Sequence, residues 1–164
     1  MKTAIIYASK HGTTEKVAHS IADKLKGTNE VELFSLNANP KPDINAFEMV
    51  IIGSSIYAGQ ASKKVKAFCK ENESLLLQKK IGLFTCGMQP EKENQEKELQ
   101  AAFPEVLLKH SKATNFLGGE LLFEQMNFFE RMLVKKFMKI KSSVHQIDWD
   151  GVEDLAKRLQ EKHS

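Results

Sequence analysis

Short apolar segments alternate with amphipathic segments of helical periodicity along most of this chain, and this alternation limits its fold more than any other feature. The apolar segments run over residues 3–8, 31–36, 47–53, 80–86 and 113–118. Several of them are continuous and rich in β-branched residues, as strands buried on both faces of a sheet are. Strands separated by helices in this way predict an α/β fold, a three-layer sandwich around a five-stranded parallel sheet.

One stretch interrupts the alternation. Residues 120–147 lie between the last predicted strand and a last amphipathic helix at 151–161, and they are too many for a structureless loop in a compact domain. We call them the insertion and expect them to contain a helix. The length of 164 residues suits one domain, so we expect residues 1–164 to form a single domain that carries the insertion at about 120–147.

Charge, hydropathy and cysteine spacing exclude several classes of protein. Lys and Arg number 24 against 21 Asp and Glu, an excess too small to indicate a nucleic-acid partner. No apolar run approaches the roughly 18 residues of a membrane span, and the first residues lack the long apolar stretch of a signal peptide. We therefore expect a cytoplasmic protein. Cys69 and Cys86 stand apart with no neighbouring His, so neither a metal site nor a disulfide is predicted.

The turn after the first strand has the composition of a phosphate-binding loop. Its residues are Ser9, Lys10, His11, Gly12, Thr13 and Thr14. In doubly wound folds, ligands bind beyond the carboxyl ends of the strands, and hydroxyls next to the first N–H groups of a helix suit a phosphate. The turn lacks the glycine patterns of dinucleotide sites and P-loops, and it has no nucleophilic thiol. It predicts a loop that holds a phosphorylated cofactor; an ordinary turn with Ser and Thr caps is the alternative.

This loop resembles the phosphate loop of the flavodoxins, which usually reads T-x-T-G-x-T, and it stands in the same place between the first strand and the first helix. The resemblance implies a flavodoxin-like three-layer sandwich that binds FMN, with residues 9–14 around the phosphate. It also implies that two later turns flank the isoalloxazine ring. These turns are Ser54, Ser55, Ile56, Tyr57, Ala58 and Gly59, and Thr85, Cys86, Gly87, Met88 and Gln89.

Four of these residues are compatible with two interpretations each. Lys10 and His11 either attract the phosphate dianion or lie in solvent. Tyr57 either stacks on the flat ring or packs against the following helix. Cys86 is either inert packing, as most buried free cysteines are, or a redox group. No side chain is predicted to be a catalytic acid, base or nucleophile, and Cys69 is predicted to lie in the core.

Within the insertion, residues 125–141 predict a basic amphipathic helix. The stripe predicted to face the domain is Met126, Phe129, Leu133, Phe137 and Ile140. The cations along the opposite side include Arg131, Lys135 and Lys139, and further apolar residues without obvious cover are Phe128, Met132, Val134 and Met138. Surplus apolar residues on a basic helix favour contact with an anionic membrane surface or a partner. A packed helix with solvated lysines is the alternative.

Residues 127–132, followed by Lys135, Met138 and Lys139, are similar to the insertion of the menaquinone-dependent protoporphyrinogen oxidases. These are flavodoxin-like FMN enzymes with a basic insertion at this position. The resemblance implies an oxidoreductase that takes hydrogen from protoporphyrinogen IX and passes it to a quinone, at the inner face of the cell membrane. It makes Arg131, Lys135 and Lys139 the predicted contacts to a porphyrin substrate or an anionic lipid.

Two other functions stay open. A flavodoxin-type electron carrier without a substrate of its own is the main alternative, although such carriers tend to be acidic and the pI here is about 8.8. A scaffold that has lost its flavin is the other.

Overall fold

The computed structural model describes residues 1–138 and 142–161. In chain order the elements are β1 (Lys2–Ala8), α1 (Thr13–Leu25), β2 (Glu30–Ser35), β3 (Met49–Tyr57), β4 (Gln60–Ala61), α2 (Lys63–Glu71), α3 (Glu73–Leu76), β5 (Lys80–Cys86), α4 (Lys92–Ala102), α5 (Glu105–His110), β6 (Ala113–Phe116), β7 (Gly118–Leu121), a 3₁₀ turn (Phe123–Gln125), α6 (Phe128–Leu133), a π-helical turn (Val134–Met138), β8 (Val144–Ile147) and α7 (Trp149–Gln160).

The main sheet has the predicted parallel strands. They lie in the order β2-β1-β3-β5-β6, and each neighbouring pair is parallel. The chain moves outward in one direction from β1 to β2 and in the other from β3 to β6, so the order reverses between β1 and β3. In such folds a crevice for ligands opens at the carboxyl ends of the strands beside the reversal. The predicted α/β sandwich is confirmed.

Side chains of the central strands are buried on both faces of the sheet. Ile5 and Ile6 in β1 are both fully buried, and because successive side chains of a strand point to opposite faces, they enter different cores. Ile5 joins the core formed with α1 and α7, and Ile6 joins the core formed with α2 and α4. Each such side chain contributes about 1.5–3 kcal/mol through burial. Cys69 lies in the second core, as predicted.

The second predicted turn is wrong in its extent. Residues 54–57 belong to β3, and only Ala58 and Gly59, both with positive φ, form the turn to the antiparallel strand β4. The apolar run ends at Gly53, which suggests that the strand ends there too. Gly53 is nevertheless a packing position, since a Cβ at this residue would lie 2.1 Å from Cζ of Phe84 in the neighbouring strand. Gly53 is thus required by the packing of Phe84 and does not mark the end of the strand, which continues to Tyr57.

The insertion contains a helical segment, as expected, and two strands that were not predicted flank it: β7, which runs into its start, and β8 at its end. β7 and β8 pair antiparallel, with Gly118 opposite Ile147 and Leu121 opposite Val144. The predicted single helix over 125–141 is wrong. The structure has the short helix α6, preceded by the 3₁₀ turn and followed by the π-helical turn. Lys139 and Ile140 lie outside the described residues. The strands escaped prediction because each has four residues and its partner is distant in sequence.

The predicted inward stripe of this helix is correct at Met126 and wrong at Phe129 and Leu133. Phe129 is 74% exposed and Leu133 is 50% exposed, whereas Met126 and Val134 are buried with Leu121 in a small separate core. The physical reason is that α6 contacts the phosphate loop through the carboxylate of Glu130, as described below, and not through its apolar stripe. Within the described residues, no helix is both long and apolar enough to cross a bilayer.

Candidate flavin site

A cavity lies where the strand order reverses, and all three predicted turns contribute to its wall. The predicted site residues that line it are Ser9, Lys10, His11, Thr13, Thr14, Ser55, Ile56, Tyr57, Cys86, Gly87 and Met88. The insertion adds Glu120, Leu121 and Met126, and Gly119 just before it also lines the cavity. Residues separated by more than a hundred positions therefore meet around one space. We call it the flavin cavity.

The loop between β1 and α1 leaves several hydrogen-bond donors free for a ligand. Gly12 has a left-handed backbone with φ of 92°, and its N–H donates to Oγ of Ser9 over 3.0 Å. No side chain caps the start of α1, so the first N–H groups of this helix have no side-chain acceptor. Oγ1 of Thr14 is buried and has no oxygen or nitrogen partner in the described part of the chain. These donors suit a phosphate, and the uncapped helix start argues against an ordinary capped turn.

Some of the predicted site residues do not line this cavity. They are Gly12, Ser54, Ala58, Gly59, Thr85 and Gln89. The hydroxyl of Ser54 accepts from the N–H of Ser62 over 3.0 Å and donates to the carbonyl of Ser55, so it stabilises the hairpin. Oε1 of Gln89 accepts from the N–H of Glu91 just before α4. The side-chain polar groups of Ser54 and Gln89 are therefore engaged within the protein.

Lys10 and His11 are both held against neighbouring residues instead of extending freely into solvent. Nζ of Lys10 lies 3.3 Å from the centroid of the Tyr57 ring, a cation–π contact. The ring of His11 meets Tyr57 edge-on, with 6.0 Å between centroids. Burial, followed by the negative charge of Glu130, raises the pKa of Tyr57, which therefore stays protonated at neutral pH. The first two turns thus contact each other at the mouth of the flavin cavity.

Glu130 of α6 is a site residue that the sequence reasoning missed. Its Oε2 lies 2.7 Å from Nε2 of His11, and the two side chains are only 14% and 19% exposed. Burial acts to raise the pKa of Glu130, but the charge of His11 and hydrogen bonds from Asn127, His11 and Tyr57 outweigh it, so the pKa is lowered. The insertion is therefore joined directly to the phosphate loop.

Glu130 also starts its own helix. Its N–H donates to Oδ1 of Asn127 over 2.9 Å, and its Oε1 accepts from the N–H of Asn127, which completes a capping box. The sequence pattern Asn-x-x-Glu at 127–130 is a signal for this cap, and it predicts where α6 begins. It contains no information about His11, which is 119 positions away.

Glu120 is the second site residue that was missed. Its side chain is 4% exposed in the cavity wall, where Oε1 accepts from Nζ of Lys16 over 2.9 Å and lies 3.6 Å from Nδ1 of His145. Oε2 has no hydrogen-bond partner among the described residues. This oxygen is available to accept a hydrogen bond from a bound group. Its position depends on the β7–β8 pairing, which local periodicity does not reveal.

Cys86 lines the flavin cavity at the end of β5 and is nearly fully buried. Burial raises the pKa of its thiol to about 12, so the thiol stays protonated and unreactive at neutral pH. Cys86 and Cys69 are both free. The structure therefore favours the inert interpretation of Cys86.

Two of the predicted anion contacts of the insertion, Arg131 and Lys135, do not line the flavin cavity. Nε of Arg131 donates to the carbonyl of Phe123 over 2.7 Å, and Lys135 is exposed in the π-helical turn. Lys139, the third, lies outside the described residues. In the part of the chain that the structure describes, His, Cys, Asp and Glu form no group of three or more that could hold a metal ion.

Comparison with known proteins places these observations in a family. The family model of the flavodoxin domain matches residues 4–148. The quinone-linked protoporphyrinogen IX dehydrogenase of Escherichia coli K12 is 20% identical over 97% of this chain and 94% of its own. A flavodoxin of Clostridium saccharobutylicum is 34% identical over 50% of this chain and 52% of its own. In fold, the protein is similar to oxidised flavodoxin 1 of Bacillus cereus, with a TM-score of 0.57, 18% identity and 97% coverage of both chains.

The cofactor predicted from the phosphate loop is FMN, which is the cofactor of flavodoxins, and the site fits it. The Thr14 hydroxyl, which has no oxygen or nitrogen partner among the described residues, and the uncapped start of α1 meet the needs of a phosphate. Ile56, Tyr57 and Met88 supply apolar surface of the kind a flat ring requires. With a family match that extends from β1 through the insertion, the chain belongs to the flavodoxin domain family and is a flavodoxin-like FMN-binding protein.

Proposed function

We propose that the protein is an FMN-dependent oxidoreductase that takes hydrogen from an organic substrate and delivers the electrons to a quinone. The observation that carries this proposal is that the insertion forms part of the flavin cavity wall, through Leu121 and Met126 among others. An electron carrier needs only an exposed flavin edge, whereas a substrate oxidase needs a covered site beside the ring. Similarity to the E. coli dehydrogenase along nearly the whole chain supports the same interpretation.

FMN, when bound, supplies the redox chemistry, and the protein supplies binding, orientation and the exclusion of water. The phosphate loop would bind the phosphate of FMN, with the Thr14 hydroxyl as one hydrogen-bond donor. Leu121 and Met126 keep water from one side of the cavity because both are buried apolar side chains. Oε2 of Glu120 offers a hydrogen-bond acceptor at the wall. No described residue is assigned as a catalytic acid or base.

Anaerobic mixing tests this function directly. FMN-loaded protein is mixed with protoporphyrinogen IX, and the visible absorption of the flavin is followed. Rapid bleaching that a menaquinone analogue reverses is the expected result. Flavin that stays oxidised with this substrate but is reduced by a flavodoxin reductase contradicts the proposal and supports an electron carrier, the function that the similarity to the Clostridium flavodoxin favours.

We also propose that the insertion contacts an anionic membrane surface, where quinones reside. The support is the exposed apolar face of α6, formed by Phe128, Phe129, Met132 and Leu133. Arg131 and Lys135 are exposed on the same segment. A basic segment with exposed aromatic and aliphatic side chains is typical of helices that lie in the membrane interface.

Sedimentation with lipid vesicles tests the membrane contact. Replacing Arg131 and Lys135 together by Glu should abolish binding to phosphatidylglycerol vesicles, and neutral phosphatidylcholine vesicles should bind little of either protein. The control is the matched change Lys26→Glu with Lys109→Glu, which alters the net charge equally but lies outside the insertion. Equal loss in both double variants would mean that only the total charge matters.

A further inference from the structure

A second cavity, of about 510 Å³, lies beside the flavin cavity and shares Ser9, Lys10, Ser55 and Tyr57 with it. It is bounded by the end of β1, the β3–β4 hairpin and the start of α2. Three of its lining residues are lysines: Lys10, Lys63 and Lys64. No Asp or Glu is among the described residues that line it. Its volume is within the range of small-molecule sites, and its charge is positive. We call it the lysine cavity.

Two of the three ammonium groups are held in position without a carboxylate. Nζ of Lys10 lies over the Tyr57 ring at 3.3 Å. Nζ of Lys64 donates to Oδ1 of Asn37 over 3.0 Å, and Nδ2 of Asn37 donates to the carbonyl of Ser9 over 2.8 Å. Among the described residues, none of the three lysines forms an ion pair. The charges of Lys10 and Lys64 are therefore held in position, and no carboxylate among the described residues neutralises any of the three lysines.

This arrangement is unfavourable for the protein alone. Lys63 and Lys64 are the first two residues of α2, whose first turn contains no acidic residue. A helix start favours negative charge, so two cations there reduce stability, and repulsion from Lys10 adds to the effect. Both lysines are exposed, so the loss is not offset by packing. Groups that weaken the fold in this way are typical of functional sites.

We propose that the lysine cavity binds the carboxylates of an organic anion that carries at least two of them, and that the rest of this molecule reaches the flavin past Tyr57. The assignment deepens the proposed function, on which it rests, by giving the chemical class of the substrate. Three positive charges around one space match two carboxylates. Tyr57 lines both cavities, so a ligand in one lies next to a ligand in the other.

An equilibrium titration in the dark tests the site without requiring any flavin reduction. The probe is coproporphyrin, a water-soluble porphyrin with four carboxylates, added to FMN-loaded protein and followed by its fluorescence. The test variant replaces Lys63 and Lys64 together by Gln. The control replaces Lys66 and Lys70 together by Gln, since both are exposed on α2 and neither lines the cavity. Lys10 is left intact because it also lines the flavin cavity.

The test variant should bind coproporphyrin at least about tenfold more weakly, as expected for the loss of charge-assisted hydrogen bonds. The control should change the affinity by less than about twofold, since distant exposed charges are screened. The affinity for FMN, measured separately by flavin fluorescence, should be the same in all three proteins. Equal weakening in the control would overturn the proposal, because it would show that total charge alone attracts the porphyrin.

Two further outcomes are decisive. Weaker FMN binding in the test variant alone would mean that the lysine cavity belongs to the cofactor. Displacement of coproporphyrin by inorganic phosphate at equal concentration would make it a phosphate site and overturn the carboxylate assignment. The proposed function is tested separately. If coproporphyrin binding depends on Lys63 and Lys64 but protoporphyrinogen IX does not bleach the flavin, the site is retained and the oxidase function is rejected. If the flavin is bleached equally in the test variant and the unaltered protein, the oxidase function is retained and the site is rejected.

Discussion

The parallel sheet and the insertion are held in place by different forces. The sheet is buried on both faces, with side chains such as Ile5 and Phe84 fully excluded from solvent. Among the described residues, the insertion buries a small core around Leu121, against which Met88 of the third turn packs. It is also joined to the sheet region by the ion pairs of Glu130 with His11 and of Glu120 with Lys16. The flavin cavity lies between the sheet and the insertion. One wall is therefore fixed by apolar packing, and the other depends in part on charges that pH and salt can alter.

Replacing one phenylalanine in each region gives the largest expected contrast. Phe84→Ala should lower the free energy of unfolding by about 3–5 kcal/mol, because it removes a fully buried ring. Phe129→Ala removes a ring that is mostly exposed and should change it by less than about 0.5 kcal/mol. Urea denaturation measures both values. Similar losses for the two variants would show that the insertion is packed as tightly as the sheet.

The next effect concerns the phosphate loop. Thr14→Val keeps the side-chain shape and removes a buried hydroxyl that lacks an oxygen or nitrogen partner. We expect FMN to bind about tenfold more weakly or worse, since a hydrogen bond to a charged phosphate is lost. The stability of the FMN-free protein should change little, because the internal contact that is lost, with the thiol of Cys86, is a weak hydrogen bond.

Thr85→Val is the matched control for Thr14. Oγ1 of Thr85 is also buried without a partner, but Thr85 does not line the flavin cavity. FMN titrations should give the same affinity as for the unaltered protein. A large loss with Thr85→Val would place the phosphate or the ring nearer to the end of β5.

A smaller effect is expected at the joint between the two regions. Glu130→Ala should weaken docking of α6 by about 1 kcal/mol, because the pair with His11 is lost. Limited trypsin digestion reports this as faster cleavage after Arg131, detected by mass. Asn127→Ala is the control, since it removes the Asn127 side chain of the capping box and keeps the Glu130 carboxylate. Equal cleavage rates in both variants would assign the effect to the cap instead of the pair.

The same joint should respond to acid. The pKa of Glu130 is lowered in the folded protein, so its contribution is present above the ordinary carboxyl pKa of 4.5 and is lost as the pH falls through the lowered value. Hydrogen exchange at acidic pH should therefore open α6 while the sheet remains protected. Simultaneous opening of β1 and α6 would contradict this.

The smallest effect is expected at Cys86. Its thiol has a pKa of about 12 through burial, so it carries no charge near neutrality. Cys86→Ala should leave the reduction potential of bound FMN unchanged in a dithionite titration with a reference dye. A clear shift of the potential would assign Cys86 a role in tuning the flavin.

Sequence reasoning succeeded where the signal is local. The strands over 47–53 and 80–86 are continuous apolar runs, so predicting that they exist does not require knowledge of a partner. It failed where a distant partner decides the structure. The periodicity of α6 predicted an inward Phe129, but His11 holds the helix by Glu130 and turns Phe129 outward. The strands β7 and β8 are likewise defined only by pairing with each other.

The two oxygens of the Glu130 carboxylate serve different structures, Oε1 the start of α6 and Oε2 the His11 ring. The phosphate loop and the exposed face of the insertion are therefore coupled thermodynamically through a single side chain. Such coupling is reciprocal: whatever free energy FMN gains from a docked α6, α6 gains in return from bound FMN. We therefore expect cofactor loading and the docking of α6 to be linked through the contact between His11 and Glu130.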